Sequence, residues 1–140
     1  MRDATGLIEV FRSKATTGVG NWVLVEGYRH LTVSLDFDGS ANLTLKCVGS
    51  IGKGGVSSGT ETNEAPDPTA AQTEKNCYDY IEMIDLQSGS DIDGDTGIVK
   101  AGAGDHRLLN VNTDGLKWVN FYITARSAGA ATARVKLFRD

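Results

Sequence analysis

Alternating carboxylates form the most chemically suggestive stretch of this 140-residue chain, Asp91-Ile92-Asp93-Gly94-Asp95-Thr96-Gly97. Oxygen ligands two residues apart on a glycine-bent loop could surround a hard cation such as Ca²⁺. The stretch departs from the EF-hand loop: glycine sits at its fourth position and Gly102 at its twelfth, where a bidentate glutamate belongs. The competing reading is a polar turn, for which Asp-Gly is ordinary chemistry. His30 and His106 have no second ligand at i+2 or i+4. Serines and aspartates are plentiful, but no strained nucleophile elbow makes a triad specific. Gly52-Lys53-Gly54-Gly55 is too short for a phosphate-binding loop and lacks the Lys-Ser/Thr that follows one. Carboxylate pairs for glycoside hydrolysis are defined by spatial separation, and no acid here stands in an apolar run that would raise its pKa. The expectation is a non-enzymatic protein with no catalytic, cofactor-binding or metal residue assigned.

Composition narrows the classes further. One domain spanning 1–140 fits the length, which is enough to bury a core without staples. A net charge of -4, with lysines and arginines scattered singly, argues against nucleic acid as a partner. No stretch reaches the length of a membrane span. The first residues, Met1-Arg2-Asp3-Ala4-Thr5-Gly6, lack the apolar run of a signal peptide, so synthesis in the host cytoplasm without export is expected. Cys47 and Cys77 have no metal-ligand spacing and are too few for a disulfide framework. One bridge between them would close a long loop. Reduced thiols are the favoured reading, with Cys47 a small core residue.

The elements that would position any site are strands. Leu31-Thr32-Val33-Ser34-Leu35-Asp36-Phe37 alternates cleanly, Asp38-Gly39-Ser40 reads as a hairpin turn, and Asn42 to Cys47 alternates again. Tyr78 to Leu86 reads as a strand with apolar residues on both faces, hence central or bulged. Further strands are expected at 7–11, 22–25, 97–100, 106–111, 117–125 and 131–138. About nine short strands and no convincing helix imply an all-β fold, a β-sandwich or jelly-roll-like arrangement.

The chain also repeats itself. A shift of 88 positions takes Gly27 to Gly115, Leu31, Val33 and Leu35 to Val119, Phe121 and Ile123, and Leu43, Leu45 and Cys47 to Ala131, Ala133 and Val135. Apolar parity survives although identities are few, as two related strand meanders would leave it. His30 falls on Trp118 under the shift, which suggests a surface strand position. Gly49 to Asn76 breaks the rhythm with Gly, Ser, Thr, Glu, Ala and both prolines, Pro66 and Pro68. It reads as a plain surface loop or as an extended arm that orders across a neighbouring subunit. Parity also turns Trp118 and Tyr122 out of a strand whose Val119, Phe121 and Ile123 point inward. They are interface candidates for a protein or sugar contact unless the arm or the N-terminal strand covers them.

Gly27-Tyr28-Arg29-His30-Leu31-Thr32-Val33, Gly39-Ser40-Ala41-Asn42-Leu43-Thr44-Leu45-Lys46 and Gly49-Ser50-Ile51 resemble small β-rich virion proteins of tailed bacteriophages. Tyr78-Asp79-Tyr80-Ile81, Asp93-Gly94-Asp95-Thr96-Gly97-Ile98 and Asn112-Thr113-Asp114-Gly115-Leu116-Lys117-Trp118 extend the resemblance over most of the chain. The resemblance implies a structural protein of the virion, a capsid decoration (cement) protein or a head or tail accessory protein. It implies no cofactor and no catalytic residues. Its partners would be the major capsid protein or other virion subunits, and it would itself be a homo-oligomer, for which a trimer is the expectation. The rival reading is a carbohydrate- or receptor-binding β-sandwich module of a tail or fibre.

Overall fold

A computed structural model describes residues 4–53 and 64–140. Every regular element among them is a β-strand: β1 (Ile8–Lys14), β2 (Gly18–Val19), β3 (Val23–Leu24), β4 (His30–Phe37), β5 (Asn42–Ser50), β6 (Asp79–Ile81), β7 (Met83–Asp85), β8 (Asp91–Ile92), β9 (Ile98–Ala101), β10 (Asp105–Asn112), β11 (Trp118–Ala128) and β12 (Ala131–Phe138). They form two six-stranded antiparallel sheets. The first runs β1-β12-β4-β10-β7-β8. The second runs β2-β11-β5-β6, with β3 also on β11 and β9 also on β5. The fold is an all-β sandwich whose inner faces share one apolar core, including Leu31, Val33, Leu45, Phe121, Ile123 and Val135. The strands number twelve where nine were expected, because β2 and β8 are two residues long, too short for alternation to register, and the strand expected over Tyr78 to Leu86 divides into β6 and β7.

The repeated segments are real but are not meanders. β4 pairs with β10 and β12, whereas β5 pairs with β11, β6 and β9. Asp38-Gly39-Ser40, expected as a hairpin turn, therefore carries the chain from the first sheet to the second. The β11–β12 junction carries it back. The cause is local. Asp38 Oδ1 accepts the Ser40 N–H at 3.1 Å, and its Oδ2 accepts the Ala130 N–H at 2.9 Å, so one carboxylate ties the two corners together.

Each sheet consequently holds one strand from each copy, and the 88-residue shift maps one sheet's pairing onto the other's. Leu31↔Leu137, Val33↔Val135 and Leu35↔Ala133 in the first sheet correspond to Val119↔Gly49, Phe121↔Cys47 and Ile123↔Leu45 in the second. Backbone bonds outside the strands obey the same relation. Val25 N–H donates to Lys117 O and Thr113 N–H to Arg29 O. Tyr28 N–H donates to Val25 O and Leu116 N–H to Thr113 O. Gly27 and Gly115 take φ of 89° and 86° in these matching turns. β10 lies where β2 and β3 lie in the other copy, so the duplication covers three strands a side, related by a pseudo-two-fold rotation.

Tyr78 to Leu86 is neither one central strand nor a bulged one. It splits at Glu82 into β6 of the second sheet and β7 of the first. A strand that changes sheets makes a corner and needs apolar residues for two surroundings. At the opposite side the sheets meet: the Asn21 N–H donates to Val10 O at 2.9 Å. A Cβ on Gly20 would stand 2.6 Å from that same carbonyl oxygen, which only glycine avoids at this approach.

Candidate functional site

The outer face of the second sheet is built from alternate residues of three neighbouring strands. On β11 these are Trp118, Asn120 and Tyr122. Lys46, Val48 and Ser50 lie opposite them on β5, and Tyr80 of β6 lies opposite Val48. Tyr78 precedes Tyr80 on the same side, and their rings meet edge to face at 6.1 Å. The Lys46 ammonium sits 4.6 Å from the centre of the Tyr80 ring. Small residues in the middle strand with aromatics on both flanks make a shallow trough.

That trough is covered along its floor. Val48 and Asn120 are fully buried and Ser50 nearly so, although all three face away from the main core. Asn120 Nδ2 donates to Gly20 O at 2.9 Å, which draws the β2–β3 connection over one side. Residues 64–78 close over the other. Ser50 Oγ donates to Cys77 O at 2.6 Å, the Tyr78 hydroxyl donates to Ala70 O at 2.6 Å, and Lys53 N–H donates to Glu64 O at 2.8 Å. Asn76 stitches the loop to itself: its side chain accepts the Asp67 N–H and donates to the carbonyls of Asp67 and Ala71. Pro66 and Pro68 are buried. The described part of the expected arm is thus a compact folded cover rather than an extended one, and 54–63 lies outside the described residues.

Trp118 and Tyr122, the expected interface pair, stand half-buried at the margins of this covered face. The Trp118 indole Nε1 is buried and has no hydrogen-bond partner among the described residues. Burial raises the Tyr78 phenol, and the nearby phenol of Tyr122 raises it further. Tyr80 is raised by burial first, then by Tyr78 and Tyr122. Three of the chain's four tyrosines therefore share one patch. Tyr78 and Tyr80 were not singled out from the sequence, yet their i, i+2 spacing on a strand already placed both on one face.

The remaining candidates separate. Among the described residues no three His, Cys, Asp or Glu side chains gather as metal ligands, Asp91, Asp93 and Asp95 included. Asp91 belongs to β8, while Asp93 holds a turn by accepting the Thr96 N–H at 3.2 Å. Gly94 is there because a Cβ would stand 2.4 Å from the Tyr80 carbonyl oxygen. Cys47 and Cys77 are both free thiols. Cys47 faces the core, where burial pushes its thiol far above the ordinary range, and Cys77 lies beyond the opposite side of the sheet.

His30 and His106 both lie on the outer face of the first sheet. The His30 ring stacks on Phe138 at 4.9 Å, with Nε2 2.6 Å from Asp140 O. His106 Nδ1 is 3.8 Å from Asp36. Among the described residues nothing folds over this face: Leu108, Leu86 and Ile84 are 47%, 52% and 37% exposed.

No protein-family model matches the chain, and no curated protein is similar to it. Two solved structures share its fold. The SPBc2 prophage-derived protein YomS aligns at a TM-score of 0.61 and 15% identity, over 96% of this chain and 92% of that one. The PBSX exported protein XepA aligns at 0.59 and 12% identity, over 98% of this chain but 39% of XepA. At these identities the likeness is one of fold: this chain shares the sandwich of YomS along nearly the full length of both.

Proposed function

We propose that this chain is a structural protein of a phage particle that binds and stabilises the assembled shell as a capsid decoration protein. The observation that carries the reading is the shared architecture with a prophage-derived protein over nearly the whole of both chains. The role is non-catalytic, and its mechanism is thermodynamic. Contacts available only in the assembled shell stabilise that state by mass action, and repeated copies add avidity. The contact surface is the covered side of the second sheet: the folded loop 64–76, Tyr78 and Tyr80, with Trp118 and Tyr122 at its margin. Tyrosine supplies large contact area at small entropic cost, which suits such a surface. The partners are the major capsid protein or other virion subunits, and the location is the virion.

Co-sedimentation of the purified protein with expanded capsids, and separately with tails, tests this. Binding to capsids at about micromolar concentration is expected, weakened at least about tenfold by Tyr80→Ala with Tyr122→Ala. Binding to tails alone reassigns the protein to the tail. Binding to neither sinks the proposal. The clustering of Tyr78, Tyr80 and Tyr122 around Lys46 also favours a second reading, a carbohydrate- or receptor-binding module. A glycan array decides that one.

A further inference from the structure

The outer face of the first sheet carries its own pattern. Registers across five strands place Lys136, Thr32, Asn110, Ile84 and Asp91 in one row. The next row places Arg134 beside Ser34 and Leu108, and the Leu86 N–H bonds to Leu108 O at 3.0 Å. The face is thus cationic along β12 and anionic at the β8 edge, with Leu108, Leu86 and Ile84 exposed between them among the polar residues of β4 and β10. Glu9 lies beside Arg134 but is paired with Arg12 at 2.7 Å. Among the described residues neither Arg134 nor Asp91 has an ion-pair partner, and the Lys136 ammonium rests only over the Phe138 ring.

We propose that this face is a two-fold interface with a second copy of the chain, in which Lys136 of each copy meets Asp91 of the other around a centre of Leu108, Leu86 and Ile84. The strand order β1-β12-β4-β10-β7-β8 decides the geometry. A two-fold axis in the interface and parallel to the strands lays β12 over β7, β4 over β10 and β1 over β8, and it keeps every row in place. Lys136 then falls on the Ile84–Asp91 pair, and Arg134 lies over Leu86. An axis across the strands would instead set β12 on β12, cation against cation.

β1, β12, β4 and β10 run seven or eight residues, but β7 and β8 only three and two. At about 3.3 Å per residue and about 4.8 Å between strands they present roughly 570 Å² per copy, or about 1,100 Å² for the pair, just above the about 1,000 Å² that a specific interface should clear. Face-to-face sheets pack readily with their strands nearly aligned. The interface uses the opposite side of the sandwich from the surface assigned to the particle, so the two can fail independently.

Sedimentation equilibrium of the full chain, from about 1 to 100 µM at low salt, tests the interface. A dimer is expected, and Leu108→Asp gives a monomer with an unchanged far-ultraviolet spectrum. Lys136→Glu and Asp91→Lys each weaken self-association at least about tenfold, since each sets like charges opposite one another twice. Mixing these two variants restores a dimer, because both contacts in the mixed pair are again of opposite sign. A wild-type chain monomeric at about 100 µM overturns the proposal. So does an oligomer of any size that Leu108→Asp and the charge variants leave intact, or a mixture that fails to recover.

Discussion

Val48 and Lys136 occupy equivalent places in the two copies of the repeat, on the outer faces of β5 and β12. The first is sealed from solvent and the second lies half-exposed on a cationic strand. Their neighbours diverge in the same sense: Trp118, Asn120 and Tyr122 of the second sheet answer to His30, Thr32 and Ser34 of the first. Gly20, where the β1 backbone presses close, answers to the exposed Leu108. The inner faces kept their apolar character because the shared core leaves little latitude. The outer faces were free to differ, and among the described residues one carries a cover from the chain and the other does not.

If burial rather than strand position sets the cost, exchanging characters across the repeat should be strongly unequal. Val48→Lys buries a charge without a partner and is expected to destabilise by about 3 kcal/mol or more. Lys136→Val should shift stability by no more than about 0.5 kcal/mol in urea titrations of the monomer. Comparable losses at both sites would end the distinction between a covered and an open face.

Gly20→Ala tests the seam between the sheets, since its methyl would meet the Val10 carbonyl and the Val10 and Phe11 side chains. A loss of about 2 kcal/mol is expected, from thermal or urea unfolding. Gly27→Ala and Gly115→Ala probe the opposite case, where the two copies still agree. Neither methyl would meet anything within 4 Å, but both residues hold a positive φ. Each should cost about 1 kcal/mol, the two agreeing to within about 0.5 kcal/mol. A large inequality there would mean that the turns are not equivalent in energy.

The smallest effect belongs to the cover. Thr69 donates its hydroxyl and its N–H to Asp67, which holds that carboxyl below the ordinary aspartate range. A lowered native value means that the ordering it supports is complete above about pH 3.9 and fades as pH falls through the native value. Hydrogen exchange of the 64–78 amides should therefore accelerate between about pH 5 and pH 2.5 relative to β4, after correction for intrinsic rates. Equal change in both segments would remove Asp67 from the account.

Period-two alternation over Leu31 to Phe37 and Asn42 to Cys47 was sufficient to read the fold class, the inward residues and the duplication. It could not tell a hairpin from a corner, because alternation reports which side chains are buried and not which strand lies beside them. Asp38 shows the difficulty: its decisive partner is Ala130, 92 residues away. The same limit hid the split at Glu82, where one apolar run serves two sheets. At the candidate site, the sequence placed Trp118 and Tyr122 on an outer face, and the spacing of Tyr78 and Tyr80 put those two on one side of a strand, but nothing in it said that the two pairs meet. It left 49–76 open between a surface loop and a reaching arm, because the bonds by which the Asn76 side chain holds the described part to Asp67 and Ala71 leave no periodic trace.

Because both sheets are laced together by strands from opposite halves of the sequence, the order of synthesis governs when the molecule can exist. β12, which lies between β1 and β4, is the last strand of the fold to leave the ribosome. Until then β1 has no neighbour in its sheet, and β4 has none on that side. Productive folding must wait for residue 138, and closing pairs about a hundred residues apart places it on the slow, millisecond-to-second side of single-domain kinetics. During that wait β1 and the apolar strand β4 stand with open edges, the state in which such chains most easily meet the wrong partner.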